Sequence, residues 1–410
     1  MLKDRSWIDA KSTVKVIAAL DAGGIDFRFV GGAVRDGLLG RPVSDIDLAT
    51  PAKPEAVMQA IKAAGLKVIA TGLKHGTVTA ITDRKPFEIT TLRRDIETDG
   101  RHAVVAFTDN WREDAARRDF TMNALYADRD GQIADFFGGA ADAMAGHVRF
   151  IGDAEARITE DALRILRFFR FHAHYGRGAL DAAGLAAATR LAGMIGRLSG
   201  ERVRVEMFKT LAAADPAPVW QAMIAAGVMA HVVAEASRVG DLSKMIELER
   251  ALGLAADPLR RLAALTGPPS ADLAADLKTR LRLSNGAADY LGALAGQDDR
   301  LKLVERGAFG RALYGAEPDW VRDAAMLSAV ETAKPGPKAL AKLSLFIPGW
   351  VEPRFPLTGA DLQKAGVEPG PDMGRLLGAV EEWWVGKDFA PDRESCLTQL
   401  KTTIVSLRGA

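Results

Sequence analysis

The rhythm of apolar and polar positions changes near residue 150. Before it, short runs rich in β-branched and aromatic residues are interleaved with helical periods; after it the pattern is amphipathic helix almost throughout, broken by Gly and Pro. Phe27–Val30 reads as a strand ending in Gly31-Gly32, Ala33–Leu39 as a helix, and Val43–Leu48 as a second strand reached through Gly40-Arg41-Pro42. Further strands are predicted at Thr77–Thr82, Phe87–Leu92 and Gln132–Phe136. Asp114–Leu125 reads as a helix with Phe120, Ala124 and Leu125 facing inward. From Thr159 as N-cap, with Glu160 and Asp161 in the first turn, one helix of about four turns is predicted up to Gly176. More helices are expected at Leu180–Leu191, Gly200–Ala213, Pro218–Ala225, Leu242–Leu252 and Arg260–Leu265, and the break at Lys334-Pro335-Gly336-Pro337-Lys338 separates a terminal helical unit. The fold class is therefore α+β: a small mixed sheet with flanking helices, then all-α units.

Length and composition narrow the possibilities. The chain has 410 residues, 48% hydrophobic and 26% charged, enough for several folded units and a large core. No run approaches the ~20 apolar residues of a membrane-spanning helix, and Met1–Ser6 shows no secretory signal, so a cytoplasmic protein without a membrane partner is expected. Cys396 is the sole cysteine, which excludes an internal disulfide and thiolate zinc sites and leaves oxygen ligands for any metal. With 54 Lys+Arg against 53 Asp+Glu the formal net charge is +1, so nucleic-acid contacts must come from local clusters rather than a basic coat. Two such clusters are Lys278, Arg280 and Arg282, and Lys334, Lys338 and Lys342; both also fit ordinary solvated faces.

Candidate chemistry begins with Asp45 and Asp47. Alternation along a strand places both carboxylates on one face with Ile46 directed inward, and two adjacent hard oxygen donors suit Mg²⁺. The same spacing fits a solvated strand end. The upstream Gly31-Gly32 turn lets backbone N–H groups and a helix N-terminus approach a triphosphate, with Arg35 one turn into that helix. Neither a dinucleotide-binding glycine fingerprint nor a Walker A loop is present. Glu88, on another predicted strand, is the candidate third carboxylate or a structural salt-bridge partner. Arg164, Arg167 and Arg170 recur every third position on a helix otherwise thick with Leu, Ile and Phe, so they are expected to line a polar cleft. Asp161, three residues before Arg164, adds an acceptor beside the donor fork, and together the two can hydrogen-bond a nucleobase edge. Arg94–His102 is polar and poorly periodic and reads as a mobile loop.

The strings Phe29-Val30-Gly31-Gly32-Ala33-Val34-Arg35-Asp36 and Asp45-Ile46-Asp47-Leu48 resemble class II tRNA nucleotidyltransferases, the CCA-adding enzymes, and their bacterial poly(A) polymerase relatives. The resemblance implies a polymerase β-like nucleotidyltransferase head at 1–150, a helical neck at 151–215, a body at 216–330 and a tail at 331–410. It implies that Gly32 and Arg35 contact the nucleotide and that the catalytic Asp45 and Asp47 hold Mg²⁺. Arg117-Arg118-Asp119-Phe120-Thr121-Met122-Asn123-Ala124 resembles another family motif and makes Arg118 a nucleotide contact, with Asp119 and Asn123 structural or at the sugar edge. Glu160-Asp161-Ala162-Leu163-Arg164-Ile165-Leu166-Arg167 resembles the motif in which the aspartate and first arginine act as a protein template for CTP and then ATP. By that mapping Asp161 and Arg164 read the base, while Arg167 and Arg170 support the pocket or contact phosphate and sugar. The loop at 94–102 is then expected to help the switch from C to A addition. The implied reaction adds C, C and A to the 3′ end of tRNA. Poly(A) addition, partial CC or A addition, and a catalytically inactive RNA-binding relative remain as alternatives, and the sequence leaves the oligomeric state open.

Overall fold

In the computed structural model, which describes residues 1–99 and 102–408, the chain divides into two compact units, Met1–Ser237 and Arg238–Ala410. The first begins with helix α1 (Lys11–Ala22), strand β1 (Arg28–Val30), helix α2 (Gly32–Leu39), strand β2 (Ile46–Thr50) and helix α3 (Pro54–Ala63). Strands β3 (Lys67–Gly72), β4 (Thr77–Thr82) and β5 (Lys85–Thr91) follow, then a hairpin of β6 (Arg93–Asp99) and β7 (His102–Phe107). Helix α4 (Trp111–Ala116), strands β8 (Leu125–Ala127) and β9 (Ile133–Asp135), and helix α5 (Gly139–Ala145) complete the sheet-bearing part. Five helices come next: α6 (Ala154–Glu160), α7 (Leu163–Tyr175), α8 (Ala182–Arg190), α9 (Gly200–Leu211) and α10 (Ala217–Ala225).

Seven strands form one mixed sheet in the order β3-β4-β5-β2-β1-β8-β9. β2 and β5 run parallel and in register, so Asp47 lies beside Glu88, while β1 pairs antiparallel with β2 and sets Val30 beside Asp47. Alternation holds on β5, where Phe87 and Ile89 are buried and Glu88 is exposed. On β2 the strand starts three residues later than the pattern predicts: Asp45 precedes it, and Leu48, Ala49 and Thr50 are all buried because both faces of this central strand are covered. Behind the sheet edge, Phe150 and Phe168 stack with centroids 5.6 Å apart, with Phe120 packed on both. Each such fully buried side chain contributes roughly 2–3 kcal/mol of transfer free energy.

Three sequence expectations are corrected. Asp114–Leu125 is not one helix: α4 stops at Ala116, Thr121–Asn123 form a single 3₁₀ turn, and Leu125 enters β8. Every residue from Asp119 to Ala127 is buried, so the spacing of Phe120, Ala124 and Leu125 reports burial on all sides rather than one helix face. The helix predicted from Thr159 is two helices. Asp153, not Thr159, caps α6 by accepting the Ala156 N–H at 2.8 Å, and Thr159 bonds back to the Glu155 carbonyl inside that helix. Asp161 breaks the run in an extended conformation (φ −151°, ψ 106°), and its Oδ1 accepts the Leu163 N–H that opens α7. The Arg94–His102 segment, read as a loop, carries paired strands; Gly100 and Arg101 lie outside the described residues.

The second unit is all helix among its described residues, from Val239–Ala251 to Arg393–Arg408. Its interior carries a buried ionic cluster: Glu249 accepts Nε of both Arg260 (3.0 Å) and Arg261 (2.8 Å), and Asp323 pairs with Arg260 and accepts the Tyr290 hydroxyl at 2.9 Å. Trp384 is buried and donates Nε1 to the Pro391 carbonyl, so its use is helix packing.

Candidate active site

The turn between β1 and α2 forms the floor of a cleft of about 580 Å³. Gly31 adopts φ +71°, a left-handed conformation costing a residue with Cβ roughly 1–2 kcal/mol, and a Cβ there would lie 3.6 Å from Nη1 of Arg118. Gly32 opens α2, and Arg35, one turn on, lines the same cleft. The Arg35 side chain is 6% exposed and heavily engaged: it donates to Asp36, to Oδ1 of Asn123 (2.6 Å) and to the Tyr175 hydroxyl (2.6 Å), with its guanidinium 4.0 Å from the Tyr175 ring centroid. It ties α2 to the end of α7 while facing the cleft.

At one end of the cleft stands Asp47, with Asp45 just before its strand and Glu88 beside it. All three are exposed by area, yet Asp47 lies on a concave floor where protein displaces much of its water. That desolvation, with the like charges of Glu88 and Asp45, pushes its pKa up to about 6 against the pull of Arg118. Carboxylates held together without a direct cationic partner are the donor chemistry a hard divalent cation stabilises. Among the described residues no three His, Cys, Asp or Glu side chains, these carboxylates included, are grouped closely enough to hold a metal ion by themselves.

Arg118 reaches the cleft from the loop after α4. Its Nη2 donates to Asp114 Oδ2 at 3.1 Å and its Nε to the Tyr126 hydroxyl at 3.3 Å, leaving Nη1 over Gly31. Asp114, 1% exposed, is the hub here: it accepts from Arg117, Arg118, Tyr126 and the Arg93 N–H. Although burial opposes its charge, the flanking Arg118 and Arg117 and the Tyr126 hydrogen bond bring its pKa down to about 2. Sequence reasoning passed over Asp114, whose only signal was an acid three and four residues before two arginines.

The far end is built by α7. Arg164, Arg167 and Arg170 all line the cleft together with Asp161. Arg164 donates to Glu160 Oε2 (2.5 Å) and to the Arg157 carbonyl (2.8 Å); Arg167 donates Nε to Asp119 Oδ2 at 2.7 Å; Arg170 is ion-paired to the buried Glu206. Asp161 and Arg164 thus share the cleft, but each is held by another partner: the Asp161 carboxylate accepts Arg202 Nη2 at 2.7 Å. Arg202 borders the cleft, and Glu206, Glu160 and Arg157 hold its arginines and loop without lining it; the sequence reading assigned none of these roles. Arg157 staples the loop to the helices through the Arg118 carbonyl at 2.8 Å. Asp119 and Asn123 prove to be bracing residues: Asn123 donates to Asp119 and accepts from Arg35. In all, seven arginines against three aspartates line the cleft, an anion-attracting surface with acid at one end.

Similarity to known proteins agrees with this geometry. The family described as "Poly A polymerase head domain" matches residues 27–149, and "Probable RNA and SrmB- binding site of polymerase A" matches 179–238. The chain is 34% identical over 390 residues to the CCA tRNA nucleotidyltransferase 1, mitochondrial, of Mus musculus, covering 92% of this chain and 87% of that protein. It is 31% identical over 387 residues to a CCA-adding enzyme of Lacticaseibacillus paracasei, covering 93% and 94%. The crystal structure of the Bacillus stearothermophilus CCA-adding enzyme in complex with CTP superposes with a TM-score of 0.80 at 29% identity over 97% of this chain and 98% of that one.

Proposed function

We propose, from the premise that this chain belongs to the family of CCA-adding tRNA nucleotidyltransferases, that it extends the 3′ end of tRNA with C, C and A from CTP and ATP. The observation that carries the reading is a single cleft lined by Asp47, with Glu88 in register beside it, and by an aspartate, Asp161, among arginines. Triphosphate oxygens would lie against the Gly31-Gly32 backbone and the N-terminus of α2, with Arg118 Nη1 as the cationic donor from above. Arg35 braces that floor and adds its charge to it. Asp161 and Arg164 present acceptor and donors to the base edge, and Arg167 and Arg170, ordered by Asp119 and Glu206, carry the charge of sugar and phosphate. A wrong base meets donors and acceptors of the wrong pattern on these partly buried groups, which disfavours GTP and UTP.

The family's transfer reaction uses a divalent metal; here the ion proposed is Mg²⁺, with Asp45 and Asp47 as its ligands and Glu88 alongside. When bound, it supplies charge neutralisation at the triphosphate and activation of the attacking ribose hydroxyl. The division into head (1–150), neck (151–215), body (216–330) and tail (331–410) is proposed, with the boundary between the two compact units at Ser237 falling inside the body and tRNA contacts assigned to body and tail. Among the described residues no helix is long and apolar enough to cross a membrane, and a cytoplasmic location is proposed.

The test is incubation of tRNA lacking its CCA end with CTP, then ATP. Two C residues and then one A are expected; no incorporation of C rejects the reading, and unlimited A addition would replace it with poly(A) synthesis.

A further inference from the structure

Asp161 occupies an unusual place for a residue that must hold its side chain still. It sits in extended backbone at the junction of α6 and α7, its carbonyl accepting the Arg164 N–H at 3.0 Å as α7 opens. Its neighbour in the cleft, Arg164, is turned to Glu160 and to the carbonyls of Arg157 and Arg117. Two contacts therefore orient the carboxylate: Oδ1 accepts the Leu163 N–H at 3.1 Å, and Oδ2 accepts Arg202 Nη2 at 2.7 Å. The two side chains of that ion pair are 23% and 24% exposed, and both line the cleft.

Arg202 comes from α9, and Glu206, one turn further on the same helix, faces Arg167 and Arg170. One face of α9 thus presents a cation to the acid of the cleft and an anion to its arginines. We propose that Arg202 is a positioning residue for nucleobase choice: its guanidinium pins Asp161 Oδ2 so that the remaining lone pairs of the carboxylate point at the base edge. This rests on the reading of Asp161 as a base-contacting residue. A carboxylate free to turn accepts hydrogen bonds from the amino group of cytosine and from the ring N–H of uracil with less distinction, so loss of Arg202 relaxes choice rather than removing catalysis.

The experiment measures kcat/KM for CTP and UTP on tRNA lacking its CCA end, with Arg202→Ala, Arg202→Lys, Asp161→Asn and the Asp161→Asn, Arg202→Ala double variant. Arg202→Ala is expected to lower the CTP-to-UTP ratio by about tenfold or more while kcat at saturating CTP changes by less than about threefold. Arg202→Lys recovers most of the ratio, and the double variant discriminates no worse than Asp161→Asn alone, because both substitutions remove one coupled unit. Equal losses for CTP and UTP, or additive losses in the double variant, overturn the proposal. Equilibrium competition of CTP against UTP, without acceptor RNA, gives the same ratio independently of turnover. If the wild type transfers no nucleotide the functional reading fails, and the binding ratio still decides the role of Arg202: an unchanged CTP preference in Arg202→Ala refutes it.

Discussion

Asp47 carries a conflict that the metal-holding role proposed for it explains. Its carboxyl is pushed up to about 6 by desolvation and by the charges of Glu88 and Asp45, so the ionised form strains the metal-free fold. The sign follows: below pH 4 the group is protonated folded or unfolded and contributes nothing, stability falls as pH rises from about 4 to 6, and the penalty is complete above that. Asp47→Asn removes it, so the variant is expected to unfold about 2 °C higher than wild type at pH 8, with the difference vanishing at pH 4, while incorporation is abolished. Differential scanning fluorimetry at the two pH values checks this. Mg²⁺ should raise the midpoint of the wild type at pH 8 and leave the variant unmoved. Because protons and metal compete for the same oxygens, the acid limb of activity should have its midpoint at or below about 6 and move lower as Mg²⁺ is raised; a limb insensitive to Mg²⁺ contradicts the assignment. At the neighbouring turn, Gly31→Ala forces a Cβ into φ +71° and is expected to lose about 1–2 kcal/mol of stability together with nucleotide affinity.

Among the elements, α4 shows how far a short helix can matter. Its six residues end where Asp114 gathers Arg117 and Arg118, so the side chains of the loop that carries Arg118 to the cleft floor are held by a buried carboxylate, while Arg157 holds its backbone. Asp114→Asn leaves two guanidinium groups without their counter-charge and is expected to cost about 3–5 kcal/mol. With its pKa brought down to about 2, Asp114 contributes stability that is present above pH 4 and lost as pH falls through 2, about 2 kcal/mol by linkage. Acid unfolding monitored by circular dichroism should therefore be shallower in the variant, and an unchanged slope counts against the hub. These elements also mark where sequence reasoning reached and where it stopped. β1, β4 and α2 were legible because a period of two or 3.6 was bounded by Gly, and the stripe of Arg164, Arg167 and Arg170 was legible from spacing alone. The break at Asp161 was not, since nothing local distinguishes an aspartate in a first turn from one that ends one helix and caps the next. Asp119–Ala127 failed for the opposite reason: burial on every side erased the periodicity that tells helix from strand. Other partners that hold the site lie far off in sequence, 41 positions for Arg202 with Asp161 and 88 for Arg35 with Asn123, and no local pattern encodes them.

For the whole molecule, near-zero net charge has to coexist with binding a polyanion. The balance is met by segregation. In the first unit seven arginines surround the nucleotide cleft, most of them already paired to acids behind it. In the second, Arg306, Lys338 and Lys342 line a separate pocket of about 630 Å³ beside Phe309, at the start of the helix Pro337–Phe346. Two other basic candidates have acidic neighbours: Arg280 pairs with Asp276 at 2.6 Å, and Lys334 lies 3.9 Å from Glu305, which also lines that pocket. Charges without close acidic partners keep their counterions in solution and release them when a phosphate takes their place, so their contribution appears in salt dependence. Lys338→Gln with Lys342→Gln is accordingly expected to weaken tRNA binding by about tenfold at low salt and to reduce the slope of log K against log salt by about 2. CTP affinity should stay the same, because the cleft proposed for CTP belongs wholly to the first unit. Filter binding of tRNA across a salt series, beside a CTP titration of the same variant, separates the two effects. A parallel loss of CTP affinity would mean that the lysines act on the fold, and an unchanged salt slope would mean that tRNA phosphates are held elsewhere.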